Sequence, residues 1–195
     1  MTRIEPLRRE DLPQYEEQFA FIESVMGFLP SSLLTMARQP PLLESFQQLI
    51  GSVMTLGCID SGLMHLVSHV ASRAAGCNYC QAHTATHAAH DGVAAEKIEA
   101  VWEFEWSDLF DDGERAALRL ARDAAQVPNA TTAEHFEELG RHFDEDQIVQ
   151  IVAVISAFGF LNRWNDTMAT TLEDVPRAFG ADHLTDAGWR VGRHT

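Results

Sequence analysis

Apolar side chains recur along almost the whole chain at intervals of three and four residues, and no Asn-Gly or Asp-Gly pair stands between two β-branched runs. That period belongs to helices packed on one face, so the chain is expected to be all-α. Leu12, Tyr15, Phe19, Ile22 and Met26 share a face in a first helix that begins near Asp11, with Pro13 in its first turn, and ends at Gly27. Ser31 caps a short helix that stops before Pro40 and Pro41. Residues 42–56 form the next, closed by Gly57, and Asp60 or Ser61 starts one that runs to Gly76. A helix over 78–91 ends at Gly92 and a further one covers 93–104. Asp111 or Asp112 opens a helix that runs out before Pro128. Thr131 with Glu134 fits a reciprocal capping box for a helix to about Phe143. Asp144 caps the longest, which reaches about Thr170 and is apolar on several faces, as a central core helix or an oligomer seam would be.

A chain of 195 residues with 46% hydrophobic side chains is long enough to bury a core without disulfide staples. One domain over 1–195 is expected, with a motif-bearing core at about 31–172 and a C-terminal arm at 173–195, either a short helix or extended. The 14 basic against 29 acidic residues leave a net charge of −15. Such a surface repels phosphate backbones and anionic lipid, and no basic patch offsets it, so neither nucleic acid nor membrane is an expected partner. The first residues lack the apolar core of a signal peptide. The longest apolar stretch, 148–161, is shorter than the roughly 20 residues a bilayer requires, so a cytoplasmic location is expected.

Chemistry is concentrated between His65 and His90, where five of the nine histidines and two of the three cysteines fall. Gly76 ends one helix, which puts Cys77 at the N-cap of the next and Cys80 in its first turn, where free N–H groups and the helix dipole favour an anion. A thiol there should ionise more easily, and thiolate is the reactive form. The spacing brings the two sulfurs within reach of a disulfide. His83 follows Cys80 by three residues on the same face and is the natural base. Folding the two helices back about Gly76 brings His65 level with His87. His69 and His90 read as polar surface or core-edge residues, Cys58 as a bystander, and Trp102 and Trp106 as core beside the site.

The segment GCNYCQAHTATHAAHDG resembles the alkylhydroperoxidase D-like, peroxidase-related branch of the carboxymuconolactone decarboxylase family. FLNRWNDTMATTLE is similar to the C-terminal core helix of that branch. The resemblance implies an all-helical homo-oligomer that reduces a hydroperoxide with an external dithiol as electron donor and no cofactor. In that scheme Cys80 attacks the peroxide, Cys77 resolves it as a disulfide, and His83 belongs to a proton relay completed by a glutamate on the preceding helix. Here His65 stands at the glutamate position, so it is expected to orient His83 or hold a relay water, and a second imidazole does this more weakly than a carboxylate.

Two other chemistries fit the same residues. His65, His83 and His87 could carry proton transfer for decarboxylation or isomerisation of a small acid, with the cysteines dispensable. The run C-x2-C-x2-H-x3-H also offers ligand types that zinc takes, with His65 and His69 as outside ligands in a metal-binding oligomer.

Overall fold

In the computed structural model, which describes residues 2–195, all regular structure is helical among the described residues. Two 3-10 turns, Arg9–Asp11 and Pro13–Tyr15, lead into α1 (Glu16–Met26), α2 (Ser31–Met36), α3 (Pro40–Thr55), α4 (Ser61–Ala74), α5 (Asn78–His90) and α6 (Ala95–Glu99). A third 3-10 turn, Val101–Glu103, precedes α7 (Asp112–Ala124), α8 (Ala133–Leu139), α9 (Glu145–Met168) and α10 (Asp174–His183).

Local chemistry sets most boundaries. Asp60 caps α4 by accepting the Leu63 N–H at 3.2 Å, while Asp111 with Glu114 and Asp144 with Gln147 make reciprocal boxes at the heads of α7 and α9. Gly27 ends α1 and Gly76 ends the α4 turn in the left-handed region, at φ 78° and 77°. Four boundaries differ from the sequence expectation. Ser31 is the first residue of α2, and Pro30, not Ser31, takes the cap position. The first helix starts five residues after Asp11, because Leu12 before Pro13 is driven out of the helical region to φ −125°, ψ 46°. Helix α3 begins at Pro40 itself, where a missing N–H costs nothing. The box of α8 is built by Thr132 and His135, one residue later than Thr131 and Glu134, because the Thr131 N–H is taken by the Asn129 side chain at 2.9 Å. The 93–104 stretch is divided between α6 and a 3-10 turn rather than continuous.

The most enclosed helix is α4, in which every residue from Gly62 to Ser72 is buried between α5, α7 and α9. Leu66, Val67 and Val70 meet Leu118, Leu120, Ile151 and Val154 in one core, and Leu12, Phe19, Leu33, Met36 and Leu43 form a second, smaller one against the other end of α9. Helix α9 has 24 residues and packs on α3, α4, α5 and α7, yet Val149, Val152 and Phe160 on its outer face are exposed, so it is not enclosed all round. By length and apolarity it is the one helix among the described residues that passes as a membrane span; Gln150, Asn162 and Asn165 along it are buried against protein. Trp106 is 71% exposed and fills no core. Trp102 is half-buried beneath the Arg73 guanidinium, 4.6 Å from its ring centre.

The C-terminal arm returns to the centre. Trp189 donates its indole N–H to the Asn78 carbonyl at 2.8 Å, and His194 is buried, its backbone carbonyl accepting from the Leu172 N–H at 2.9 Å. A Cβ at Gly180 would stand 2.8 Å from the Trp189 ring. Gly180→Ala is therefore expected to push Trp189 off the head of α5 and cost about 1–3 kcal/mol of overpacking strain, read as a lower denaturant midpoint with unchanged slope.

Candidate active site

The turn at Gly76 delivers Cys77 to the N-cap of α5, in extended conformation (φ −88°, ψ 100°), with its sulfur 3.5 Å from the Cys80 N–H. Cys80 follows in the first turn. Both are free thiols, 0% and 2% exposed. Asn165 of α9 donates its side-chain N–H to the Cys80 sulfur at 3.5 Å. The ease of ionisation expected from the helix terminus is overturned at Cys80: burial, then the neighbouring Cys77 sulfur, push its thiol well above the ordinary cysteine value, and the Asn165 amide offsets only part of this. Cys80 is thus held as a thiol whose proton must be removed on demand.

A carboxylate–imidazole pair stands on the same helix. His83, one turn after Cys80, binds Glu173 through Nε2 at 2.6 Å. Glu173 is the N-cap residue of α10, and its other oxygen accepts the Tyr79 hydroxyl at 2.8 Å and the backbone N–H of Ser31. Burial works against the Glu173 charge, but His83, Ser31 and Tyr79 outweigh it and hold its carboxyl below the usual carboxylate range. The Tyr79 hydroxyl is pushed well above its usual value by burial and by Glu173, so it remains a proton donor to that carboxylate. Tyr79 stacks on the His83 ring at 4.2 Å and Phe28 meets it edge-on at 4.9 Å. His83 Nδ1 makes no hydrogen bond among the described residues, and no direct hydrogen bond joins His83 to either sulfur.

The carboxylate that pairs with His83 is thus Glu173 at the start of the arm, not the residue at position 65. His65 does not contact Glu173. Its Nε2 pairs with Asp91 at 3.1 Å, and its ring stacks at 5.7 Å on His87, which lies 6.4 Å from His83. His69, expected at a core edge, is fully enclosed; its Nδ1 lies 3.0 Å from the Gln81 carbonyl and clamps α4 to α5, and burial holds its pKa at about 4. His90 is on the surface beside Asp91. Among the described residues no three His, Cys, Asp or Glu side chains gather as a metal cage. A cavity of about 950 Å³ opens between α4, α7, α8 and α9. Its lining includes Ala74, Ala75 and Asn162 but neither site cysteine nor His83, so it does not contain the dithiol.

The all-helical frame that carries this buried dithiol and the carboxylate-bound imidazole is the alkylhydroperoxidase D-like fold. The chain belongs to the carboxymuconolactone decarboxylase family, whose model matches residues 40–123. It is 38% identical to the ligand-free debrominase Bmp8 over 92% of this chain and 96% of that one, with a TM-score of 0.85. A variant of Bmp8 solved with 2,3,4-tribromopyrrole gives 37% identity, 93% and 97% coverage and a TM-score of 0.87. An uncharacterized peroxidase-related protein from Ralstonia eutropha JMP134 shares the fold at 21% identity, 90% and 94% coverage and a TM-score of 0.80. The uncharacterized protein YnjA of Escherichia coli K12 is 28% identical over 118 residues, which span 60% of this chain and 62% of YnjA.

Because the folded-state Glu173 value is depressed, its contribution to stability is fully present above the ordinary carboxylate value of 4.5 and is lost as pH falls through the folded value. Glu173→Gln is expected to lose about 1–3 kcal/mol at neutral pH through the unpaired partners it leaves. In chemical denaturation across pH, the gap from the native chain should narrow as pH falls below 4.5.

Proposed function

We propose that the chain is a dithiol oxidoreductase that strips halogen from a small halogenated aromatic ring, with Cys80 as the attacking thiol, Cys77 as the resolving one and His83 as the proton carrier. The observation that carries this reading is the pairing of two adjoining buried thiols with an imidazole whose far nitrogen is fixed on Glu173 and whose Nδ1 is open. The near full-length likeness to a debrominase supports the substrate class. So do the flat faces of Phe28, Tyr79 and His87 around His83, which suit a planar ring better than a small polar molecule.

The chemistry balances with these groups alone. His83 takes the Cys80 proton and gives it to the halogen-bearing ring carbon, which becomes tetrahedral. The Cys80 sulfur then attacks the halogen, and the carbon–halogen electron pair returns to the ring, leaving Ar–H and a sulfur–halogen bond. Cys77, losing its own proton to solvent, attacks the Cys80 sulfur and expels halide as the disulfide forms. The ring gains two electrons and the two thiols lose them; an external dithiol resets the pair by exchange. Glu173 stabilises the imidazolium that forms midway, as a buried carboxylate does for a catalytic histidine.

Hydroperoxide reduction is the second reading, favoured by the His83–Glu173 pair, which supplies the carboxylate that a peroxidase relay requires. Cys80 would then receive OH in place of halogen and become a sulfenic acid, with the same disulfide as product. One experiment separates the two. The reduced chain is mixed with one equivalent of 2,3,4-tribromopyrrole or of an alkyl hydroperoxide and followed by mass spectrometry and bromide release. The expected result is one bromide per Cys77–Cys80 disulfide with the pyrrole. Cys77→Ser should instead leave an oxidised, dimedone-trappable Cys80. Disulfide formed with peroxide alone would assign the second reading, and thiols unchanged by both would overturn dithiol catalysis.

A further inference from the structure

Two buried imidazole nitrogens near His83 have no partner, and neither belongs to the relay just described. They are Nδ1 of His65 and Nε2 of His87. A buried polar group left unpaired is costly enough that each such group demands an explanation. The His65 tautomer follows from its partner: the Asp91 carboxylate only accepts, so Nε2 carries the ring proton and Nδ1 is a bare acceptor. Asp91 is held in turn, its second oxygen accepting from His90 at 3.1 Å.

The two rings lie nearly parallel, 5.7 Å apart and 27° in tilt. Phe28 spans from His87, at 5.9 Å, to His83, at 4.9 Å. The orphaned nitrogens therefore sit one ring away from the proton carrier, on a face built of aromatic planes. Burial keeps both imidazoles uncharged: His65 is held below the ordinary histidine value, with Asp91 only partly compensating, and His87 is lowered to about 3 by burial, then by His83 and His65. A neutral acceptor in a dry place selects a neutral donor, not an anion.

We propose that His65 recognises the substrate's own polar hydrogen, its Nδ1 accepting a ring N–H while the His87 ring flanks the substrate ring, so that the halogenated carbon is turned toward His83 and Cys80. Asp91 is a positioning residue that fixes the His65 tautomer. The proposal deepens the dehalogenation reading and rests on it: the substrate class narrows to halogenated rings that carry an N–H. A site that pairs a substrate N–H rejects the analogue lacking it, because the protein acceptor is then stranded.

Binding needs no turnover, so the test uses the full chain with Cys80→Ala and two probes, 2,3,4-tribromopyrrole and its N-methyl derivative, in titration calorimetry. The N–H compound is expected to bind at least about tenfold more tightly. Adding His65→Phe should collapse that preference to within about twofold by weakening the N–H compound alone, while the N-methyl affinity holds. Equal binding of the two probes by the Cys80→Ala chain overturns the proposal and leaves dehalogenation standing, as does a His65→Phe loss shared by both probes. Binding of neither probe removes the halogenated-ring reading itself and this proposal with it. If His65→Phe does not fold, the comparison of the two probes on the Cys80→Ala chain decides alone.

Discussion

The carboxylate of Glu173 ties together parts of the chain that share no local sequence. It gathers His83 and Tyr79 from α5 and the first N–H of α2, and it does so from the N-cap position of α10. A buried carboxylate without such partners would be too costly to keep ionised. With them it is held charged, and the same bonds that stabilise it fix the orientation of the imidazole beside the dithiol. Stability and reactivity are coupled here through one side chain.

That arrangement gives His83 a carboxylate partner without one on the preceding helix. Position 65 faces α5 from α4, where the resemblance implied a glutamate, but here it carries a histidine engaged with Asp91. The carboxylate that meets His83 comes instead from the N-cap of α10. The exchange leaves stacked imidazole and phenyl rings, His65 on His87 and His87 on Phe28, where the resemblance implied a carboxylate.

Most of what is local in sequence was legible. The turn at Gly76, the N-cap position of Cys77, the first-turn position of Cys80 and the shared face of His83 follow from helical spacing, as do the caps at Asp60, Asp111 and Asp144. What was not legible depends on distant parts of the chain. Glu173 lies 90 residues from His83 and Asn165 lies 85 from Cys80, and no periodicity links them. Both fall within the segment 160–173, whose likeness to a core helix was noted without its polar residues being assigned. The thiol was misjudged for the same reason: the helix terminus is a local feature, whereas the burial that opposes it comes from α4 and α9. His65 and His69, four residues apart on α4, look equivalent in sequence and differ only because Gln81 and Thr84 close over one and Asp91 over the other.

The way the arm is fastened gives the redox centre an unusual dependence. Glu173 begins a stretch that runs through α10, crosses an exposed turn at Thr185 and Asp186, and comes to rest with Trp189 on Asn78 and His194 on Thr170 and Leu172. The residues just before Glu173 and the head of α5 are thereby held by the same returning segment. A single proteolytic nick in that outer turn would cut no residue that touches the sulfurs, yet it would release the Trp189 and His194 contacts that press on the head of α5 and on the two residues flanking the start of the arm.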